Sequence, residues 1–280
     1  MSTPVVVAVV DSPVATRPAI THATKAPRHL LPPLSPLAHR IVQQATQDEV
    51  GVAALAKLVE VDPALTIAVL RLVNSPFFGL RKQVGTVSEG ILVLGMATVR
   101  RLAIAATIAQ PLQQLKLKPR LMHAMWHKAL GGAVLARRLL DGHAASQLAF
   151  TAGVLQDIGR LELHLRAPQD YAAMESLNGH ALCAAEQACF GQTHAEAGAV
   201  LAEAWGLPAA IVEAIAVHHA APEALPGSPA AQAVWLASLI GDGDLGTLAL
   251  PPLVHVQVDP AQAMAASQLE TEALCALVGA

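Results

Sequence analysis

Metal-ligating residue types recur in the second half of the chain: His127, Asp157, His194 and the adjacent pair His218 and His219. Imidazole nitrogen and carboxylate oxygen suit zinc, iron or manganese. Two such ions held close together would orient and ionise a water for attack on phosphorus. Spacing alone leaves a plainer reading open for each histidine, a hydrogen-bonded or surface imidazole. For Asp157, which precedes Ile158 and Gly159, a helix C-terminal turn is the plainer reading. Consecutive helical residues point about 100° apart, so His218 and His219 converge on one ion only if their helix ends there. The following Ala220-Ala221-Pro222 supplies such an ending.

These residues need helices to position them, and the sequence marks where helices start and stop. Ser35-Pro36 and Asp62-Pro63 are cap and first-turn pairs. A helix runs over about 52–61, and Leu65, Ala68, Val69, Leu72 and Val73 recur at spacings of three and four, which predicts a buried helix over 62–74. Asn74-Ser75-Pro76 ends it. Residues 86–110 read as a short helix, a break at Gly95 and a longer helix closed by Pro111. Beyond Lys118-Pro119, helices are predicted at about 120–140, 145–158, 168–177, 180–190, 194–205, 208–219 and 229–241, and a last one of about twenty residues from Asp259-Pro260. Thr193 and Glu196 form a capping box, and Gly206-Leu207-Pro208 separates two helices. Gly131-Gly132 lacks the strand and glycine order of a phosphate loop and reads as close helix packing. Alternation of useful length appears only at 253–258, so the fold class is all-α.

Composition narrows the class. Over 280 residues, 54% are apolar and 14% charged, yet no apolar run approaches the roughly 20 residues of a membrane span. The first ten residues lack the basic region of an export signal. Cys183, Cys189 and Cys275 form no CxxC pair and fit a reducing cytoplasm, as small core filler. The net charge of −3 argues against a nucleic-acid partner. Arg100-Arg101 and Arg137-Arg138 are therefore expected on solvated helix faces, one arginine of each pair extending its stem along the core edge.

The segments DPALTIAVLRLVNSPFFG (62–79) and GILVLGMATVRRLAI (90–104) resemble the N-terminal motifs of the HD-related output domain (HDOD) family. Trp126-His127, GVLQDIGR (153–160), THAEAGAVLAEAWGLP (193–208) and AIAVHH (214–219) resemble its HD-like half. The resemblance implies an HD-domain-like helical bundle with an additional N-terminal helical subdomain. It also implies kinship with HD phosphohydrolases and HD-GYP phosphodiesterases, and a regulatory role in bacterial signalling. Expected boundaries are a flexible extension over 1–29, an N-terminal subdomain over 30–115, an HD-like subdomain over 116–245 and a C-terminal loop and helix over 246–280.

Three departures bear on catalysis. Gln156 stands where the HD motif has its histidine, and a neutral amide is a weak ligand. The family's later aspartate falls near Ser238, with Asp242 and Asp244 able to substitute only in a shifted helix register. No GYP-type segment follows His219. The site is thus expected to be vestigial, with no cofactor, a divalent metal being the alternative. The expected function is a non-catalytic signalling module that contacts another signalling or regulatory protein. The alternatives are a metal-dependent phosphohydrolase on a nucleotide or phosphoester, and a nucleotide-binding sensor without turnover. Asn74, Phe77 and Phe78 are expected to anchor the two subdomains or a partner, and the last helix to cap the HD-like half or to pair two chains as a homodimer.

Overall fold

Fourteen helices and two short 3-10 turns make up the computed structural model, which describes residues 30–45, 51–113, 115, 117–243, 253, 255–256 and 259–278; no strand occurs among them. The extension over 1–29, Asp244 and half of the alternation at 253–258 lie outside the described residues.

The N-terminal half is built from α1 (Pro36–Ala45), α2 (Val52–Glu60), α3 (Pro63–Val73), α4 (Val87–Leu94) and α5 (Met96–Gln113). The Asp62 carboxylate accepts from the amides of Ala64 and Leu65 at the start of α3, while Pro63 supplies the preset first-turn backbone. Asn74 then ties off the connection to α4: its amide donates to the carbonyls of Leu70 and Val84, and its oxygen accepts from Val84 N at 2.7 Å. Phe78 packs on the core, whereas the Phe77 side chain is outside the described set. Thr86 and Glu89 close a capping box on α4, and Gly95, at φ 82°, breaks the chain before α5. Pro111 does not end α5, contrary to expectation. The hydrogen bond that proline costs is offset by one more turn, which buries Leu112 to 2% exposure.

The following part of the chain comprises α6 (Pro119–Leu139), α7 (Ser146–Leu155), α8 (Ile158–Arg166), α9 (Pro168–Ala172), α10 (Gly179–Phe190), α11 (His194–Ala204), α12 (Ala209–Val217) and α13 (Pro229–Asp242). Helix α8 is absent from the expected set, because Gly159 weakens its first turn as a local signal. Burial of Ile158, Leu161 and Leu163 forms it nonetheless. Helix α6 packs on α7 and α13, α12 on α7, α11 and α13, and α11 on α8. Trp235, Phe150, Leu130 and Leu139 are fully buried among them, each contributing about 1.5–3 kcal/mol by burial.

Buried side chains from Leu31 to Val278 join one hydrophobic core across the break near 115. Helix α1 and α5 touch α7, and the buried Glu162 carboxylate of α8 accepts from the amides of Leu30 and Leu31. The last helix, α14 (Pro260–Val278), packs on α6 and also on α3 and α5, so it caps both halves. Its Glu270 corrects the reading of the arginine pairs as solvated. Arg101 Nε, Arg137 Nη2 and Arg138 Nη2 approach the Glu270 carboxylate at 3.2, 3.1 and 3.0 Å, and Arg100 and Arg101 are only 7% and 8% exposed. Burial, then the two neighbouring arginines, hold the Arg101 guanidinium down to about 10 against the pull of Glu270. Of the cysteines, Cys275 is core filler, while Cys183 and Cys189 are half-buried.

Candidate functional site

Helices α8 and α11 meet backbone to backbone. A Cβ on Gly159 would collide with the carbonyl of His194 and come within 2.6 Å of Gly198 N, so glycine alone permits the approach. The contact sets the first residue of α11 against Asp157. The expected capping box fixes that residue further: Thr193 N donates to Glu196 Oε2 at 2.7 Å, and Glu196 N to Thr193 Oγ1 at 3.2 Å. From the other side, α12 ends at Val217 and His218 is its cap residue. The ending lets both adjacent rings turn inward.

Asp157, His194, His218 and His219 thus come together, one ligand atom of each lying within 4.8 Å of all the others. His194 and His218 are fully buried, Asp157 is 3% exposed, and the His219 side chain is 4% exposed. Hydrogen bonds orient two of the rings. His218 Nδ1 donates to Ile215 O at 2.7 Å, and His194 Nδ1 to Glu186 Oε2 at 2.6 Å. Glu186 also accepts from His194 N and from the Tyr171 hydroxyl, which in turn accepts from Arg160 Nε at 3.3 Å. Burial would raise the Glu186 carboxyl, but the bonds from His194 and Tyr171 outweigh it and hold it low. With both Nδ1 atoms donating outward, the two Nε2 atoms face each other at 3.1 Å, lone pair to lone pair. A proton or a metal ion must lie between them. A donor set of three imidazoles and one carboxylate, with outer acceptors fixing the ring orientation, fits a single divalent ion.

Lys128 of α6 directs its ammonium between two buried carboxylates, at 2.9 Å from Asp242 Oδ1 and 3.5 Å from Asp157 Oδ2. A dication about 4 Å from that ammonium would meet roughly 8 kcal/mol of repulsion at an effective dielectric constant near 20. Burial would raise the Asp157 carboxyl, but Lys128, then Arg160 and His194, outweigh it and keep it ionised far below the usual carboxylate range. Burial and then His194 push His218 down to about 3, and burial and then His218 hold His219 low as well.

Two expectations change here. His127 is exposed and stacks on His123 with ring centroids 6.1 Å apart, so it takes no part in the cluster. One residue further along α6, Lys128 heads an inward stripe with Gly132, Leu135 and Leu139, at helical spacing that was legible in the sequence. Asp242 needs no shift of register to reach the site: it lies one turn beyond Ser238 on the same face of α13, 3.8 Å from His219 Nδ1. Ser238 and Gln156 are both buried, and neither Ser238 Oγ nor Gln156 Oε1 has a hydrogen-bond partner among the described residues. Gln156 lies against Gly132, where a Cβ would come within 2.6 Å of its amide nitrogen. Sequence reading missed Lys128, Glu186 and Tyr171, and it named Asp242 only as a ligand in a shifted register. Glu186 also lies near Cys183, whose thiol burial and then Glu186 push up to about 12.

Residues 31–221 match the HDOD domain family. The chain belongs to that family. A protein of Treponema pallidum (strain Nichols), described as uncharacterized, is 25% identical over 193 residues, 65% of this chain. The matched region spans 36% of that relative's length. Among solved structures, a Shewanella amazonensis SB2B protein with a provisional phosphohydrolase description covers 89% of this chain and 95% of its own at TM-score 0.69 and 23% identity. An HDOD domain protein of unknown function from Geobacter sulfurreducens covers 89% and 92% at TM-score 0.68 and 20% identity. A Marinobacter aquaeolei VT8 protein provisionally described in signal transduction covers 92% of this chain and 62% of its own at TM-score 0.68 and 22% identity. At these identities the structural likenesses establish the HDOD fold. No helix among the described residues is long and apolar enough to cross a membrane.

Proposed function

We propose that this protein is a regulatory HDOD module that works through contacts with another signalling protein and does not hydrolyse phosphoesters. The observation that carries the reading is the Lys128 ammonium paired with Asp157 and Asp242. One ammonium lies between the two carboxylates that could help hold a second metal, and its charge opposes a dication there. Gln156 supplies an amide where an imidazole ligand would be needed, so it does not strengthen the site. The scaffold is kept while hydrolytic chemistry loses its ligands, and the apolar side chains of Ile67, Leu92 and Val93 stand exposed on the N-terminal half as contact surface.

A second reading has its own support in the opposed Nε2 atoms of His194 and His218. One divalent ion held by Asp157, His194, His218 and His219 would satisfy both lone pairs and act as a structural or sensing centre. It would supply Lewis acidity, without the paired-ion geometry of two-metal hydrolysis.

One set of measurements addresses both. Full-length protein loaded with manganese, iron or zinc is expected to leave cyclic dinucleotides and a chromogenic phosphodiester intact, and wild-type turnover above the buffer rate would overturn the non-hydrolytic reading. Elemental analysis of the same samples is expected to give no more than one ion per chain. Any such ion should be lost in His218→Ala.

A further inference from the structure

Beside the buried cluster, α6, α8 and the segment after α9 enclose a cavity of about 770 Å3, within the range of small-molecule sites. Its charge is one-sided. Lys118, Arg120, Lys128 and Arg160 line it, against the carboxylates of Asp157 and Glu175. Lys128 and Arg160 approach Asp157 at 3.5 and 3.9 Å. Lys118 and Arg120, exposed at the start of α6, have no ion-pair partner among the described residues. His164, also on the wall, has a buried Nδ1 without a hydrogen-bond partner among the described residues. A different part of the wall is apolar, formed by Leu121, Ala124, Met125 and Leu161.

We infer that this cavity binds a nucleotide, its phosphate held by the Lys118, Arg120 and Arg160 cations and its base laid on the apolar wall. Lys118 and Arg120, the two lining cations without an ion-pair partner among the described residues, match a phosphoryl group, which carries about −1.5 to −2 charges near neutral pH. Guanidinium groups suit its planar pairs of oxygens. Inorganic phosphate alone would leave the apolar wall uncovered. The ligand has a route to the cluster: Arg160 donates to the Tyr171 hydroxyl, Tyr171 donates to Glu186, and Glu186 holds both the backbone and the ring of His194. Drawing Arg160 toward a phosphate therefore bears on the start of α11, which packs on α12. The inference rests on the regulatory reading in one respect, that the nucleotide is an input signal and is released unchanged.

Calorimetric titration of the full chain with nucleoside monophosphates, nucleoside diphosphates and cyclic dinucleotides tests it, with inorganic phosphate as the head-group probe. At least one nucleotide is expected to saturate the site and to bind more tightly than phosphate. In the Lys118→Glu, Arg120→Glu double variant, whose changes lie at exposed positions and should leave the melting temperature unaltered, affinity is expected to fall by about tenfold or more. No saturable binding at millimolar nucleotide would overturn the inference, as would phosphate binding as tightly as any nucleotide, or equal affinity in the double variant. Chromatography of the bound nucleotide separates the two readings. Product formation would sink the non-hydrolytic function while supporting occupancy of the cavity. Failure to bind would sink the ligand and leave that function standing.

Discussion

At the scale of the residue, the site turns on whether α6 presents His127 or Lys128. The histidine is the better ligand type, and a reading by residue type selects it. The helix decides otherwise, because consecutive side chains differ by about 100° and the inward stripe passes through Lys128 and Gly132. Asp157, His194 and His218 were legible because each lies at a helix boundary marked by a turn, a capping box or a following proline. Glu186 was not legible, since a glutamate within a helix is ordinarily a solvated residue and only the fold withdraws it from water. The role given to Lys128 carries a measurable cost. In Lys128→Met, Asp157 and Asp242 lose the cation between them, and unfolding in urea should show a loss of about 3 kcal/mol. Asp242→Asn in that background should recover part of the loss, because it removes one of the two unpaired charges. Equal stability of wild type and Lys128→Met would show that the ammonium is solvated rather than part of the site.

At the scale of the element, starts were more legible than stops. Asp62-Pro63 and Thr193 with Glu196 each satisfy first-turn amides through their own side chains, a local interaction that sequence records, and Thr86 with Glu89, not read from the sequence, does the same. Pro111 and Gly159 show the other case. Each carries a local signal against helix, and each is overruled by burial against elements distant in the chain. Gly159 is also the position where α8 and α11 depend on the absence of a side chain. Gly159→Ala would force a methyl into the backbone of His194, which has no rotamer to yield, and is expected to cost about 2–3 kcal/mol. Gly227→Ala, where a Cβ meets nothing within 4 Å, is the matched control and should change stability little. Should the two variants unfold at the same urea concentration, the close approach of α8 and α11 would not be a constraint.

At the scale of the whole molecule, the family match ends at 221, yet the chain continues into a helix that joins both halves. Two arginines of α6 and one of α5 converge on Glu270. A single carboxylate under three guanidiniums is under-supplied with negative charge, so its removal costs more than one ion pair. Glu270→Gln leaves the three cations crowded in a half-buried space. Loss of about 3 kcal/mol or more is expected in urea unfolding, with faster amide exchange along α14 and the facing parts of α3, α5 and α6. Glu270→Asp should retain most of the stability, since the charge remains and only a methylene of reach is lost. Exchange confined to α14 would mean that the helix is an appendage. Exchange spreading into α3, α5 and α6 would mean that the helices on either side of α14 hold their relation through it. The second outcome is the one the packing requires, because α14 touches α6 on one side and α3 and α5 on the other.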